Sequence, residues 1–426
     1  MKRITERDLI ILLIILIVKV VILLYGTVYL SENFPHLYQI DLFADDYAKI
    51  AHNLLNGNGY RIFPETAKTL YRGPGYVFLL AGIFYLFGEK LFIVQIINMM
   101  LTLATAAVLF QFAQRFISRK GPLLLIVFIF LLHPAIILTE SRGAAEDLFI
   151  FFIVTFILFI YKAFESGKLF DFIAAGIALG ISCLIKSTPI IMPFFVVGYL
   201  FISKDMTNNL SQKIKGATLF LLSMIVILLP WIYRNYLLSG KIIPTTTIAG
   251  STAYQGLYYN KHINSQKNHY QIITDAVNNL SDLAERKGLQ FRKGFFQYFY
   301  NTQDEIYFNK YVLNLVKKEY LNSPLLMAKS AILNLRGFWF QGRTKTTTIL
   351  NTIVTMPLLL FAIYGMFIGY KSKLNLNFLV IFICVFISVY LPFLGVSRYQ
   401  TPLIPFMLIF ALIPFDKKLM KREIYE

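Results

Sequence analysis

LFIVQIINMMLTLATAAVLFQFAQ, residues 91–114, runs for 24 positions without a charged side chain. As a helix rising 1.5 Å per residue it is about 36 Å long, more than the ~30 Å hydrocarbon core of a bilayer. A second run, LIILLIILIVKVVILLYGTVYL at 9–30, is interrupted by Lys19 alone. Of the 426 residues, 57% are hydrophobic and 15% charged, and the mean hydropathy is +0.61. Soluble domains carry about 25% charged residues, and so few charges cannot cover a soluble chain of this size. The sequence therefore reads as an all-α, polytopic helical membrane protein. The net charge of +18 would suggest nucleic acid in a soluble chain. In a membrane protein it reports topology and contact with lipid headgroups, and no nucleic-acid partner is expected. Cys183 and Cys384 both fall inside apolar runs, which predicts free thiols and neither a disulfide framework nor a zinc site.

Working outward from these runs gives about ten spans: 9–30, 91–114, 122–139, 148–161, 170–185, 190–202, 217–233, 349–370, 376–394 and 402–415. The first exceeds 20 residues and lacks a small-residue cleavage motif, so it reads as an anchor and not a removable signal. Residues 75–87 are apolar but too short to cross, and read as an interfacial or re-entrant helix. Lys2, Arg3, Arg7, Arg115, Arg119, Lys120, Lys371 and Lys373 gather on one side, which places both termini in the cytoplasm. Three parts follow: an N-terminal transmembrane module, 1–233, with a first outer loop at 31–89; a large outer loop region, 234–348; and C-terminal transmembrane helices, 349–426. Within the large loop, Thr302-Gln303-Asp304-Glu305 has the pattern of a capping box before an apolar-periodic helix. Ser323-Pro324 opens a second helix, over 325–340, whose Lys329, Arg336, Trp339 and aliphatic residues suit the headgroup layer.

The chemistry concentrates on the outer side. Asp41, Asp45, Asp46 and Glu65 lie within 25 residues. Crowded carboxylates near a membrane suit general bases, although Asp45 and Asp46 also fit the acidic start of a helix over 47–55 that Asn56-Gly57-Asn58-Gly59 stops. Tyr71-Arg72-Gly73-Pro74-Gly75-Tyr76 is a rigid turn presenting an arginine, the natural bidentate partner of phosphate. Glu140 and Glu146 flank an outer turn near the surface, where either is placed to pair with Arg142. Lys186, Arg234 (beside Asn235) and Arg398 (beside Tyr399) add cations at other outer helix ends. Four such cations opposite a carboxylate cluster suggest a site for an anionic headgroup. Lys19 is expected to snorkel or pair inside the bundle, and His133-Pro134 to sit at a helix kink. No metal-ligand spacing is present, and no cofactor is expected, although a divalent ion is not excluded.

The order and spacing of these pieces resemble the GT-C integral-membrane glycosyltransferases, specifically the bacterial dolichyl-phosphate-mannose–protein mannosyltransferase and lipid A aminoarabinose transferase type. The pieces are Asp45-Asp46-Tyr47; Ala51-His52-Asn53 through Gly59-Tyr60; Arg72-Gly73-Pro74-Gly75-Tyr76; His133-Pro134 followed by Glu146; Pro230-Trp231 with Arg234-Asn235-Tyr236; and Arg398-Tyr399 with Pro402 and Pro405. The resemblance implies an enzyme that moves a sugar, with inversion, from a polyprenyl-phosphate donor to a lipid, glycan or protein acceptor at the outer face. It implies Asp45 or Asp46 as the base, and Arg72 and Lys186 on the carrier phosphate. Asp41, Tyr76, Glu140, Glu146, Arg234, Asn235, Arg398 and Tyr399 complete the expected substrate-binding set. Two other readings are a transporter or flippase of lipid-linked saccharides and a lipid-linked glycan polymerase or ligase. A transporter would tend to place its ionisable groups near the midplane and to show internal repeats; neither feature is visible.

Overall fold

The structure is a computed structural model that describes residues 46–203, 209–294 and 296–416, with parts of 13–32 that include Lys19. Most of the first expected span, and with it Asp41 and Asp45, lies outside the described residues.

The first complete helix is α1, Tyr47–Leu55. Tyr47, Ile50, Ala51 and Leu54 share one face at helical spacing, and the first three are buried. The helix stops where expected: Gly57 and Gly59 take φ of 75° and 80°, open to glycine at little cost. A loop leads to α2, Pro74–Phe87, too short to span, then to α3, Leu91–Ala113, the run quoted first. The third expected span is broken. α4, Lys120–Leu132, and α5, Pro134–Ser141, meet at 43°. Pro134 has no N–H and drives His133 into an extended conformation, ψ 127°. α6, Glu146–Ser166, is the central helix and is ended by Gly167 at φ 65°. Then come α7, Leu169–Ile185; a 3-10 turn, Thr188–Ile191, running into α8, Met192–Ile202; and α9, Leu210–Ser239.

α6 packs between α3 and α7, and α7 lies along α9. In lipid, apolar burial drives little helix association, so close backbone approach through small residues carries it. A Cβ at Gly176 of α7 would lie 2.3 Å from the Phe220 carbonyl oxygen of α9. Any larger residue there pushes the two helices apart.

The polar middle region holds more helix than its sequence suggested. α10, Ala249–His262, and α11, His269–Arg286, were not anticipated, although Asn268 and Gln271 form a full capping box for α11. A short antiparallel pair follows, β1 at Phe291–Arg292 and β2 at Tyr298–Phe299. α12 spans Thr302–Asn322 and α13 Pro324–Phe340. The expected capping box at Thr302 is corrected here: Asn301 is the cap, its side chain accepting from the Gln303 amide, and Glu305 turns inward. α13 opens at Ser323-Pro324 as expected, without a side-chain cap, and leaves Leu325, Met327, Ile332 and Leu335 exposed. The chain ends in α14, Lys345–Lys371; α15, Asn377–Tyr390; a 3-10 turn, Ser397–Leu403; α16, Ile404–Leu412; and a last turn, Ile413–Phe415.

Among the described residues, five helical segments are long and apolar enough to cross a membrane: α3, α6, α9, α14 and Ser397–Phe415; the bent α4–α5 pair makes a sixth. α7, Thr188–Ile202 and α15 match the fifth, sixth and ninth expected spans but are shorter, at 10–17 residues. The fold is a polytopic helical membrane protein, and length alone does not yield ten crossings.

Candidate active site

Asp46 is the N-cap of α1, yet its side chain does not cap the helix. Its backbone is left-handed, φ 67°, a conformation that costs an ordinary residue roughly 1 kcal/mol or more. The carboxylate turns away and accepts from Lys49 Nζ (2.8 Å) and Tyr298 Oη (2.7 Å). Asp46 does stand at the start of the helix over 47–55 as expected, but its carboxylate is held by a tyrosine from β2, across the molecule. Burial and the facing Asp46 carboxylate push the Tyr298 hydroxyl's pKa well up, so Tyr298 acts as a donor. Glu65 does not join this site. It pairs with Arg292 on the surface, and its own backbone N–H and that arginine hold its carboxyl below the usual range.

Arg72 sits on a strap fastened at both ends. Ahead of it, Glu305 of α12 accepts from the Thr69 hydroxyl (2.9 Å), the Leu70 amide (2.9 Å) and the Thr247 hydroxyl (2.8 Å). Burial pushes this carboxyl up to about 7 against those donors. Behind it, Gly73 and Gly75 lie directly on the end of α7: a Cβ at Gly73 would sit 2.3 Å from the Leu184 carbonyl oxygen. The Arg72 guanidinium lies over the Tyr47 and Phe296 rings, 5.5 and 5.1 Å from their centroids. Tyr47 Oη in turn donates to the Ile185 carbonyl at 3.4 Å. The strap therefore brings the start of α1 to the residue beside Lys186.

Lys186 and Arg398 meet on one carboxylate. Glu146 is fully buried at the start of α6. Lys186 Nζ donates to its Oε1 at 2.6 Å, while Arg398 grips it from Nε and, at 3.0 Å, from Nη2. The two cations keep 18% and 27% of their side-chain surface exposed. Arg398 is steadied by its neighbours: the Ser397 amide donates to the Gln341 carbonyl (2.9 Å), and Asn351 donates to the Ser397 hydroxyl (2.7 Å). Tyr399 stacks on Tyr390 at 4.7 Å, and Tyr390 pairs with Thr188.

Several expectations change. Glu146 pairs with Lys186 and Arg398, and Glu140 with Lys19 (2.6 Å) and Thr102. Neither carboxylate is near open surface: both are fully buried. Lys19 does pair inside the bundle. Tyr76 is buried too, donating to the Gly143 carbonyl at 2.5 Å, so it builds the turn ahead of Glu146. Arg234 supports the strap from behind: it donates to the Thr69 carbonyl and to Asn235 (3.0 Å each) and lies over Trp231 and Tyr60. Asn235 is fully buried and donates to the Ile243 carbonyl.

Tyr298, Phe296, Thr69 and Glu305 were not anticipated as site residues. Glu305 had a signal: Glu305 and Asn309 lie four apart on the apolar face of α12, and both are buried. Among the described residues, no three His, Cys, Asp or Glu side chains gather closely enough to hold a metal ion.

Residues 71–233 match a family model described as Dolichyl-phosphate-mannose-protein mannosyltransferase. The match takes in Arg72, Glu140, Glu146 and Lys186, and meets the resemblance read from the sequence. Among solved structures, the archaeal oligosaccharyltransferase AglB from Archaeoglobus fulgidus, in complex with an inhibitory peptide and a dolichol-phosphate, aligns at TM-score 0.52 and 14% identity over 89% of this chain. This chain spans about half of that protein, 47% of its length, and shares its fold. ArnT from Cupriavidus metallidurans, bound to undecaprenyl phosphate, aligns at TM-score 0.41 and 13% identity over 93% of this chain and 78% of its own. No curated protein sequence matches.

Proposed function

We propose that the protein is an inverting membrane glycosyltransferase that takes a sugar from a polyprenyl-phosphate donor and passes it to a lipid, glycan or protein acceptor at the outer membrane face. The observation that carries this reading is the docking of the Arg72 strap on the end of α7, which sets Arg72 beside Tyr47 and lays Gly73 and Gly75 against Leu184 and Ile185, the two residues before Lys186. The family match over residues 71–233 supports it.

The donor is already activated, so the protein has to position it, accept a proton and stabilise the departing phosphate. Arg72, Lys186 and Arg398 are the groups for the phosphate. An aspartate of the Asp45–Asp46 pair takes the proton from the acceptor's hydroxyl or amine. That acceptor atom bonds to the anomeric carbon from the face opposite the phosphate. The carbon–oxygen bond to phosphate breaks, and its electron pair stays on the phosphate. Tyr298 and Lys49 orient Asp46 for this task. Both termini face the cytoplasm.

The test is the Asp45→Asn, Asp46→Asn double variant, with lipid-linked sugars and envelope glycans followed by mass spectrometry. Transfer should be lost while the protein still inserts and melts normally. Retained transfer would remove the aspartates as base. Cysteine labelling near Gln266 checks sidedness: reagents confined to the outside should reach it.

A further inference from the structure

The residues that would grip a carrier phosphate are held by a carboxylate of the protein's own. Glu146 presents both oxygens to the site: Oε1 takes Lys186 and the Arg398 Nε, and Oε2 takes the Arg398 Nη2 at 3.0 Å. A carboxylate gripped bidentately by guanidinium uses the geometry that a phosphate would use. Glu146 itself is fully buried, whereas each cation keeps part of its side chain exposed. An incoming anion therefore approaches the cations and never has to reach Glu146.

We propose that Glu146 is an internal counter-ion that the spent carrier must compete with, and that it thereby sets the release of polyprenyl phosphate. This rests on the phosphate role given above to Lys186 and Arg398. The argument is one of charge. A sugar linked through phosphate to a polyprenol is a phosphodiester with one negative charge. Transfer breaks the sugar–oxygen bond, leaves its electron pair on the phosphate, and sends the acceptor's proton to the aspartate and then to water. The spent carrier is a phosphomonoester, whose second ionisation near pH 6 gives it almost two negative charges at neutral pH. Two cations without a counter-charge would hold that product more tightly than the donor, and turnover would stall on it. A fixed carboxylate between the cations penalises the second product charge more than the single charge of the donor. Whatever else touches Lys186 and Arg398, removing Glu146 raises the charge of this cluster by one. Glu146 acts through the two cations, so it is a positioning residue.

The experiment uses the full-length protein in nanodiscs, with undecaprenyl phosphate as the probe. Glu146→Gln should bind it about tenfold or more tightly than the wild type, the scale expected for one added unit of charge a few ångströms away. Glu146→Asp, which keeps the charge, should bind like the wild type. In the Glu146→Gln, Lys186→Met pair the charge balance is restored, and affinity should return toward wild type. A general structural defect would weaken binding instead. Unchanged or weaker binding by a Glu146→Gln protein that melts normally would overturn the counter-ion, as would a double variant that binds no better than Lys186→Met alone. Should Lys186→Met and Arg398→Gln both bind the probe like the wild type, the phosphate site itself is misplaced, a separate failure.

Discussion

Glu140 and Glu146 stand six residues apart, at the end of α5 and the start of α6, both fully buried and both gripped by cations. Around Glu140 everything is sealed: Lys19 is also 0% exposed, and Thr102 donates to the same carboxylate oxygen that Lys19 holds. Around Glu146 the cations reach outward, with Lys186 and Arg398 at 18% and 27% exposure. The first pair ties Lys19 to α5 and, through Thr102, to α3. The second is an ion pair open to a ligand. Burial of the acid does not separate them, since it is complete in both; accessibility of the base does. An intramembrane charge is costly wherever it sits, but only a cation with open surface is placed to exchange its partner.

Four changes would break or sharpen that contrast. Lys19→Ala leaves Glu140 buried and unpaired, which should cost about 3–5 kcal/mol and most of the folded protein. Lys19→Met with Glu140→Leu should recover much of it in thermal melts in detergent, and failure to recover would mean that the pair does more than hold the bundle. Glu305 is an intermediate case, buried with neutral donors instead of a cation. Its carboxyl is raised to about 7, so between the ordinary carboxylate value and 7 the folded state binds a proton that the unfolded chain releases. Its contribution is full below that ordinary value and is lost as pH rises through 7. Melting should fall from pH 5 to 8, by roughly 3 kcal/mol in total, and Glu305→Gln should flatten the slope. An equally steep slope in the variant would move the titration elsewhere.

The two remaining changes are smaller. Lys186→Ala should weaken undecaprenyl phosphate binding by about tenfold, with a melting point near wild type because Arg398 still satisfies Glu146. A collapse like that of Lys19→Ala would erase the distinction. Tyr298→Phe removes one hydrogen bond from the Asp46 carboxylate and should slow transfer several-fold, in line with about 1 kcal/mol for such a bond. Normal transfer would leave Tyr298 as packing alone.

Much of this was legible in the sequence. The apolar runs marked the helices from α3 to α9 and from α14 to α16 because hydropathy and length are local properties. Pro134 and the Asn-Gly repeats marked the kink and the first helix end for the same reason. Arg72 and Lys186 were visible as cations at helix ends. Which acid meets which base was not visible. Glu146 finds Lys186 and Arg398, 40 and 252 residues away. Only the packing of α6 against α7 and the Ser397–Leu403 turn decides that choice. Tyr298 was missed because a strand of two residues has almost no local pattern, and Glu305 because its place on the apolar face of α12 does not say which backbone it meets.

The lengths of these links bear on how the protein is made. Tyr298 reaches back 252 residues to Asp46, and Arg398 reaches back 252 to Glu146. At roughly 5–20 residues per second, on the order of 10–50 s separates the synthesis of each pair. Through that interval Asp46 has Lys49 and Glu146 has Lys186, but each lacks its second, distant partner. A ribosome that stops short of Tyr298 leaves a half-built and inactive protein behind. Catalytic competence arrives late in translation, once the final helices have threaded into place.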